Sequence, residues 1–125
     1  IPATPAPDPR IRAAVIVDPL SVFDAKGLGH VKTPIQLWAS ALGGDGVTLQ
    51  SVETVRQGLP SAPDWQLAAN AGHFAFLAPC SPALAEAVPG ICRDAAGFDR
   101  VAFHQGFNAQ VLAFFQRHIA AAKAP

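Results

Sequence analysis

Charge is scarce in this chain. Only 14% of the 125 residues are Asp, Glu, Lys or Arg, against roughly 25% in an average soluble domain. Acidic and basic residues cancel and form no basic run, which removes the electrostatic footprint of a nucleic-acid binder or of a polybasic membrane patch. Long apolar runs are missing too, and the longest falls far short of the roughly 20 residues a membrane-spanning helix needs. Methionine is absent, and the opening Ile1-Pro2-Ala3-Thr4-Pro5-Ala6-Pro7-Asp8-Pro9 shows no signal-peptide pattern. Ile1 is therefore read as something other than a translation start, and the chain as a processed piece, a truncation or a mature subunit.

Ligand patterns are equally thin. His30, His104 and His118 have no ligand spacing with a cysteine or carboxylate, so no metal and no cofactor is expected. Gly27-Leu28-Gly29-His30 and the cluster Gly43 to Gly46 fail both the dinucleotide and the P-loop patterns. Cys80 and Cys92 are the only cysteines, and their spacing suits neither a zinc ribbon nor a C-x-x-C redox pair. They bracket a loop punctuated by Pro and Gly, which suggests a local disulfide; two buried free thiols are the alternative. Such a bridge would stabilise by roughly 3 kcal/mol and would place the chain outside the cytosol, in periplasm or medium.

What is present is apolar. Half the residues are hydrophobic, and a chain of this length is one small domain with little interior to hide them. Two compatible readings follow: an apolar surface that serves as an interface, and a count inflated by alanine.

Residues 1–10, with Pro2, Pro5, Pro7 and Pro9, read as a linker or a loop leading into the domain, and 11–125 as the domain itself. Arg10 to Val17 is expected to be a strand with a continuously apolar tail, as in a parallel strand covered on both faces; Asp18-Pro19 ends it. Leu20 to Lys32 is irregular or a short helix. Ile35 to Ala39 is a second strand, and Gly43-Gly44-Asp45-Gly46 a turn. Thr48 caps a helix running to about Gly58 with Leu49, Val52, Val55 and Leu59 near one face. Asp64 to Ala69 is a third strand. An excursion over roughly 77–98 carries both cysteines. A final helix from about Asp99 to Ala121 carries Phe103, Phe107, Val111, Phe114, Phe115 and Ile119 on one apolar face. Strands alternating with helices define an α/β class with a parallel sheet.

In open α/β sheets the working residues lie on loops at the carboxyl ends of the strands. Asp18, Asp45 and His73 occupy those places, one per strand. The plain alternatives are an Asp-Pro turn for Asp18, a turn residue among glycines for Asp45, and a loop histidine bonded to backbone for His73.

The segment Asn70-Ala71-Gly72-His73-Phe74-Ala75-Phe76-Leu77-Ala78-Pro79-Cys80 resembles the G-x-G-H-F form around the catalytic histidine of dienelactone-hydrolase-like and platelet-activating-factor-acetylhydrolase-like α/β-hydrolases. Thr33-Pro34-Ile35-Gln36-Leu37-Trp38 and Gly97-Phe98-Asp99-Arg100 extend the resemblance over nearly the whole chain beyond its proline-rich start. The resemblance implies the C-terminal half of an α/β-hydrolase sheet, about three parallel strands with helices and a long C-terminal helix. It implies an ester or related acyl bond as substrate and His73 as general base. Gly44-Asp45-Gly46-Val47-Thr48 resembles the G-x-D-x-V-T element that bears the triad acid in many such enzymes, which favours Asp45. Asp18 is the alternative acid, at the position used by platelet-activating-factor-acetylhydrolase-like enzymes.

No G-x-S-x-G nucleophile elbow occurs in the chain, and Ser21, Ser40, Ser51, Ser61 and Ser81 lack its strand–turn–helix glycine setting. Alone, the chain is expected to be inactive. Its expected partners are the upstream half of the hydrolase, in the same or a separate chain, or further copies of itself, with a small ester-like substrate. A non-catalytic α/β interaction domain with an unused hydrolase-like site is the competing expectation.

Overall fold

A computed structural model describes residues 6–120. The first half of the expected linker, residues 1–5, and the expected last helical residue, Ala121, lie outside the described residues.

Strand β2, Ile35–Ser40, is buried along its whole length. Its neighbours are β1, Ala14–Val17, and β3, Asp64–Ala68, both parallel to it in the order β1-β2-β3. The mixed α/β class and the three parallel strands agree with expectation. Strand β1 is shorter than expected at its start. Its ladder begins where Ala14 N–H donates to Pro34 O, opposite the first residue of β2; Pro34 has no N–H with which to carry the pairing further back.

The two faces of β2 are covered by different elements. Helix α1, Ala25–Leu28, and helix α2, Leu49–Gly58, cover the face carrying Ile35, Leu37 and Ala39 through Leu28, Val52 and Val55. Full burial of side chains of this size is worth about 1.5–3 kcal/mol each. Thr48 caps α2 as expected: its hydroxyl accepts from Ser51 N–H while Ser51 Oγ accepts from Thr48 N–H, each at 3.1 Å. Helix α2 ends at a point of close approach. A Cβ on Gly58 would stand 2.6 Å from Leu28 Cδ1, so a larger residue there would require the Leu28 side chain to shift.

The opposite face of β2 carries Gln36, Trp38 and Ser40. Helix α5, Arg100–Phe115, covers it and continues as a π-helical turn, Gln116–Ala120. The Trp38 ring meets Phe103 and Phe107 of this helix, with centroids 6.2 and 4.8 Å apart. Polar groups on this face are paired: Trp38 Nε1–H donates to Gln36 Oε1, and the Gln36 amide donates to Asp64 Oδ2, both at 2.8 Å. Asp99 caps α5 through Ala102 N–H.

The excursion after β3 folds as two short helices, α3 (Pro82–Ala87) and α4 (Pro89–Cys92). Cys80 and Cys92 are joined in a disulfide with Cα atoms 5.8 Å apart, as expected from their spacing. A second tie is polar. Buried Arg100 donates from Nε and Nη2 to the two oxygens of Asp94, at 2.9 and 2.8 Å, and from Nη2 to Ile91 O. The excursion is thereby fixed to the first turn of α5. No helix among the described residues is long and apolar enough to cross a membrane.

Candidate active site

Three loops at the carboxyl ends of the strands build the site. The first begins at Asp18, whose N–H still donates to Trp38 O and so continues the β1–β2 ladder. Its backbone then turns left-handed, with φ of 44°, a region Asp tolerates better than most residues. The side chain is wholly buried. One carboxylate oxygen, Oδ1, accepts from Ser40 N–H at 2.7 Å, and the other, Oδ2, accepts from Ser40 Oγ–H at 2.6 Å.

The third loop carries His73. Its N–H donates to Gly43 O at 2.8 Å, and Gly72 bridges Gly43 in parallel, extending the β2–β3 pairing past both strands. His73 then starts a 3-10 turn, His73–Phe76. The far end of that turn is held from α5, where His104 Nε2 lies 2.9 Å from Ala75 O; a carbonyl can only accept, so Nε2 carries the proton.

These constraints bring His73 Nδ1 to 3.0 Å from Asp18 Oδ2. An ionised carboxylate can only accept, and Asp18 accepts from Ser40 at both oxygens. Nδ1 is therefore the donor, which leaves Nε2 as the basic nitrogen. The ring stays 28% exposed against a fully buried Asp18 side chain. A buried acceptor behind a reachable imidazole is the arrangement in which a carboxylate sets the tautomer and the ring exchanges a proton with a substrate.

Asp45 is elsewhere. The preference for it as the partner of His73 is corrected by this geometry: among the described residues the carboxylate on the imidazole belongs to Asp18. The reason is local. Gly44 and Val47 exchange two backbone hydrogen bonds around the turn, and Asp45 sits exposed at its tip with φ of 51°. Asp45 serves the turn, not the histidine.

Ser40 was not legible as a site residue. The only hint is a serine closing an otherwise buried strand, where a hydroxyl must find a partner; the sequence does not say which. His30 is exposed, and the His118 ring lies tilted against Phe114 with centroids 4.5 Å apart. Among the described residues no group of three or more His, Cys, Asp or Glu is placed to hold a metal.

Two clefts open beside His73. One, of about 310 Å3, is lined by Val17, Phe74, Phe76, Leu77 and Phe107 and is mostly apolar. The other, of about 280 Å3, runs between Gly43, Gly44 and the excursion residues Gly90, Arg93 and Asp94. The excursion thus forms one wall of the space next to the imidazole.

Neither protein-family models, curated proteins nor solved structures give a match to this chain.

Proposed function

We propose that this chain is the C-terminal portion of a serine α/β-hydrolase that cleaves an ester or related acyl bond. It supplies the triad histidine, His73, and the triad acid, Asp18, while the nucleophile comes from another segment. The 3.0 Å contact between His73 Nδ1 and Asp18 Oδ2 carries this reading. In the reaction His73 Nε2 takes the proton of the incoming serine hydroxyl as the serine oxygen bonds to the acyl carbon. It returns that proton to the departing alcohol oxygen, then repeats both transfers with water to free the acid. Asp18 keeps Nδ1 protonated throughout. The apolar cleft along Phe76, Leu77 and Phe107 suits the acyl group of a small ester.

The free side of the sheet supports a partner segment. Among the described residues β1 pairs only with β2, so its outer edge offers unpaired backbone groups. A parallel strand added there, joined to β1 by the usual right-handed crossover, puts its helix on the face that α1 and α2 already cover. That face holds an apolar groove of about 720 Å3 lined by residues including Ile16, Leu20, Val22, Phe23 and Leu28. The upstream half of the hydrolase is therefore the proposed occupant, and self-association through the same surface is what the chain would do without it. The disulfide favours periplasm or medium as its location.

The test is mass spectrometry of the purified sample, native and then denatured, after treatment with a serine-directed phosphonate. The reading expects the 13.0 kDa chain to remain unlabelled, accompanied by a second polypeptide labelled on one serine. An accompanying polypeptide that takes no label and shows no esterase activity together with this chain overturns it. That result would favour a non-catalytic interaction domain, a reading for which the same apolar groove is the supporting observation.

A further inference from the structure

We propose that Ser40 is a positioning residue for the His73–Asp18 pair: its hydroxyl locks the carboxylate rotamer that holds the imidazole in the Nδ1–H tautomer. Its catalytic meaning rests on the function proposed above; the structural effect does not.

The argument starts from how the carboxylate is held. Asp18 lies at the end of β1, in left-handed backbone, with its side chain wholly buried. An aspartate has two torsions between its backbone and its oxygens, and the second is broad, with no sharp staggered well to hold it. Something outside the residue must select the plane of the carboxylate. The main-chain N–H of Ser40 holds Oδ1 alone, at 2.7 Å. Apart from the His73 contact that the carboxylate is to orient, that is one point, and the group can still swing about it.

The hydroxyl supplies the second point. Ser40 Oγ donates to Oδ2 at 2.6 Å, and Oδ2 is the same oxygen that meets His73 Nδ1 at 3.0 Å. A planar group fixed at both oxygens cannot rotate. Ser40 itself cannot drift, being 1% exposed in the central strand and registered against Ala68 of β3. Rigid β2 is thus the reference from which the histidine tautomer is set, through a serine that touches no substrate. With Nδ1 protonated, the basic lone pair lies on Nε2 of a ring that is 28% exposed.

The experiment is ring 15N NMR on the full chain labelled at histidine, at about pH 9, well above the ordinary imidazole range. Wild type is expected to favour Nδ1–H over Nε2–H on His73 by at least about tenfold, as a hydrogen bond to a carboxylate implies. Ser40→Ala should bring the two tautomers to within about threefold of each other, with backbone amide dispersion unchanged. Ser40→Thr, which keeps the hydroxyl, should restore the wild-type ratio. An unchanged ratio in Ser40→Ala overturns the proposal. Should that variant fail to fold, the wild-type chain decides: a slowly exchanging Ser40 hydroxyl proton with a cross-relaxation peak to the His73 Nδ1 proton supports it, and absence of that proton signal overturns it. No serine nucleophile enters this measurement, so its failure is distinct from failure of the hydrolase reading.

Discussion

Asp18 Oδ2 and His73 Nδ1 meet at 3.0 Å although 55 positions separate them, and their strands are not neighbours. The contact passes over the end of β2. Asp18 leans on Ser40 at that end, and the His73 loop is drawn across it by the bond from His73 N–H to Gly43 O. Each catalytic candidate is thus located by the central strand and not by its own.

The assignment of the acid is directly testable in an enzyme that contains the serine. Asp18→Asn should lower kcat by about 10⁴, as expected when an amide favours the wrong histidine tautomer. Asp45→Asn should leave turnover near normal, because Asn also accepts the left-handed backbone of that exposed turn. Loss of turnover in Asp45→Asn with retention in Asp18→Asn would reverse the assignment.

Reduction of the Cys80–Cys92 bridge should lower the unfolding free energy by about 3 kcal/mol, the chain-entropy value for a loop of this size. Urea melts with and without a dithiol reductant read it, with paired Cys80→Ser and Cys92→Ser substitutions as the control. A shift below about 0.5 kcal/mol would mean that the bridge does not restrain the unfolded chain.

Breaking the second tie should cost as much. Arg100 is 6% exposed and its partner Asp94 nearly as buried, so Asp94→Ala strands a buried guanidinium at a cost of about 3–5 kcal/mol. Replacing Arg100 with Met in the same chain should recover part of that loss, because no charge is then left unpaired. Chemical denaturation of the two variants gives the comparison.

Acid should weaken the contact between β3 and the π-helical turn. Burial by itself would raise the Asp64 carboxyl, but hydrogen bonds from Gln36 and Gln66 and the Arg117 charge outweigh it and hold it below the ordinary carboxylate value. A lowered folded-state value contributes stability that is fully present above the unfolded value of about 3.9 and is lost as pH falls through the folded one. The stability difference between wild type and Asp64→Asn should therefore shrink between about pH 6 and about pH 3. A flat difference across that range would refute the contribution.

Gly43→Ala should unfold the chain or displace the histidine loop. Gly43 has φ of 63°, and a Cβ there would stand 2.4 Å from Val47 O, a backbone atom that cannot yield cheaply. The loss of the His73 N–H to Gly43 O contact should appear as faster amide exchange at His73.

Much of the framework was legible because it follows from local patterns. The buried run Ile35 to Ala39, the Thr48 cap with Val52 and Val55 on one face, and the Asp99 start of α5 all rest on interactions within a few residues. The late start of β1 at Ala14 was missed because it depends on Pro34 in the neighbouring strand. Ser40, Asp94 and Arg100 were missed as site or clamp residues for the same reason: a buried polar side chain is defined by a distant partner.

The amino-acid sequence by itself determined the α/β class, the places of β2, β3, α2 and the start of α5, the cysteine loop, and the three loops on which polar residues could act, because periodicity, caps and turn residues operate over short range. Tertiary structure alone decided which aspartate meets His73. In the chain Asp45 is the favoured candidate and Asp18 the alternative, each at a loop after a strand. Folding separates them because the Gly43–Val47 turn closes on its own backbone and leaves Asp45 in solvent, whereas Asp18 is buried against the Ser40 donors within reach of the imidazole.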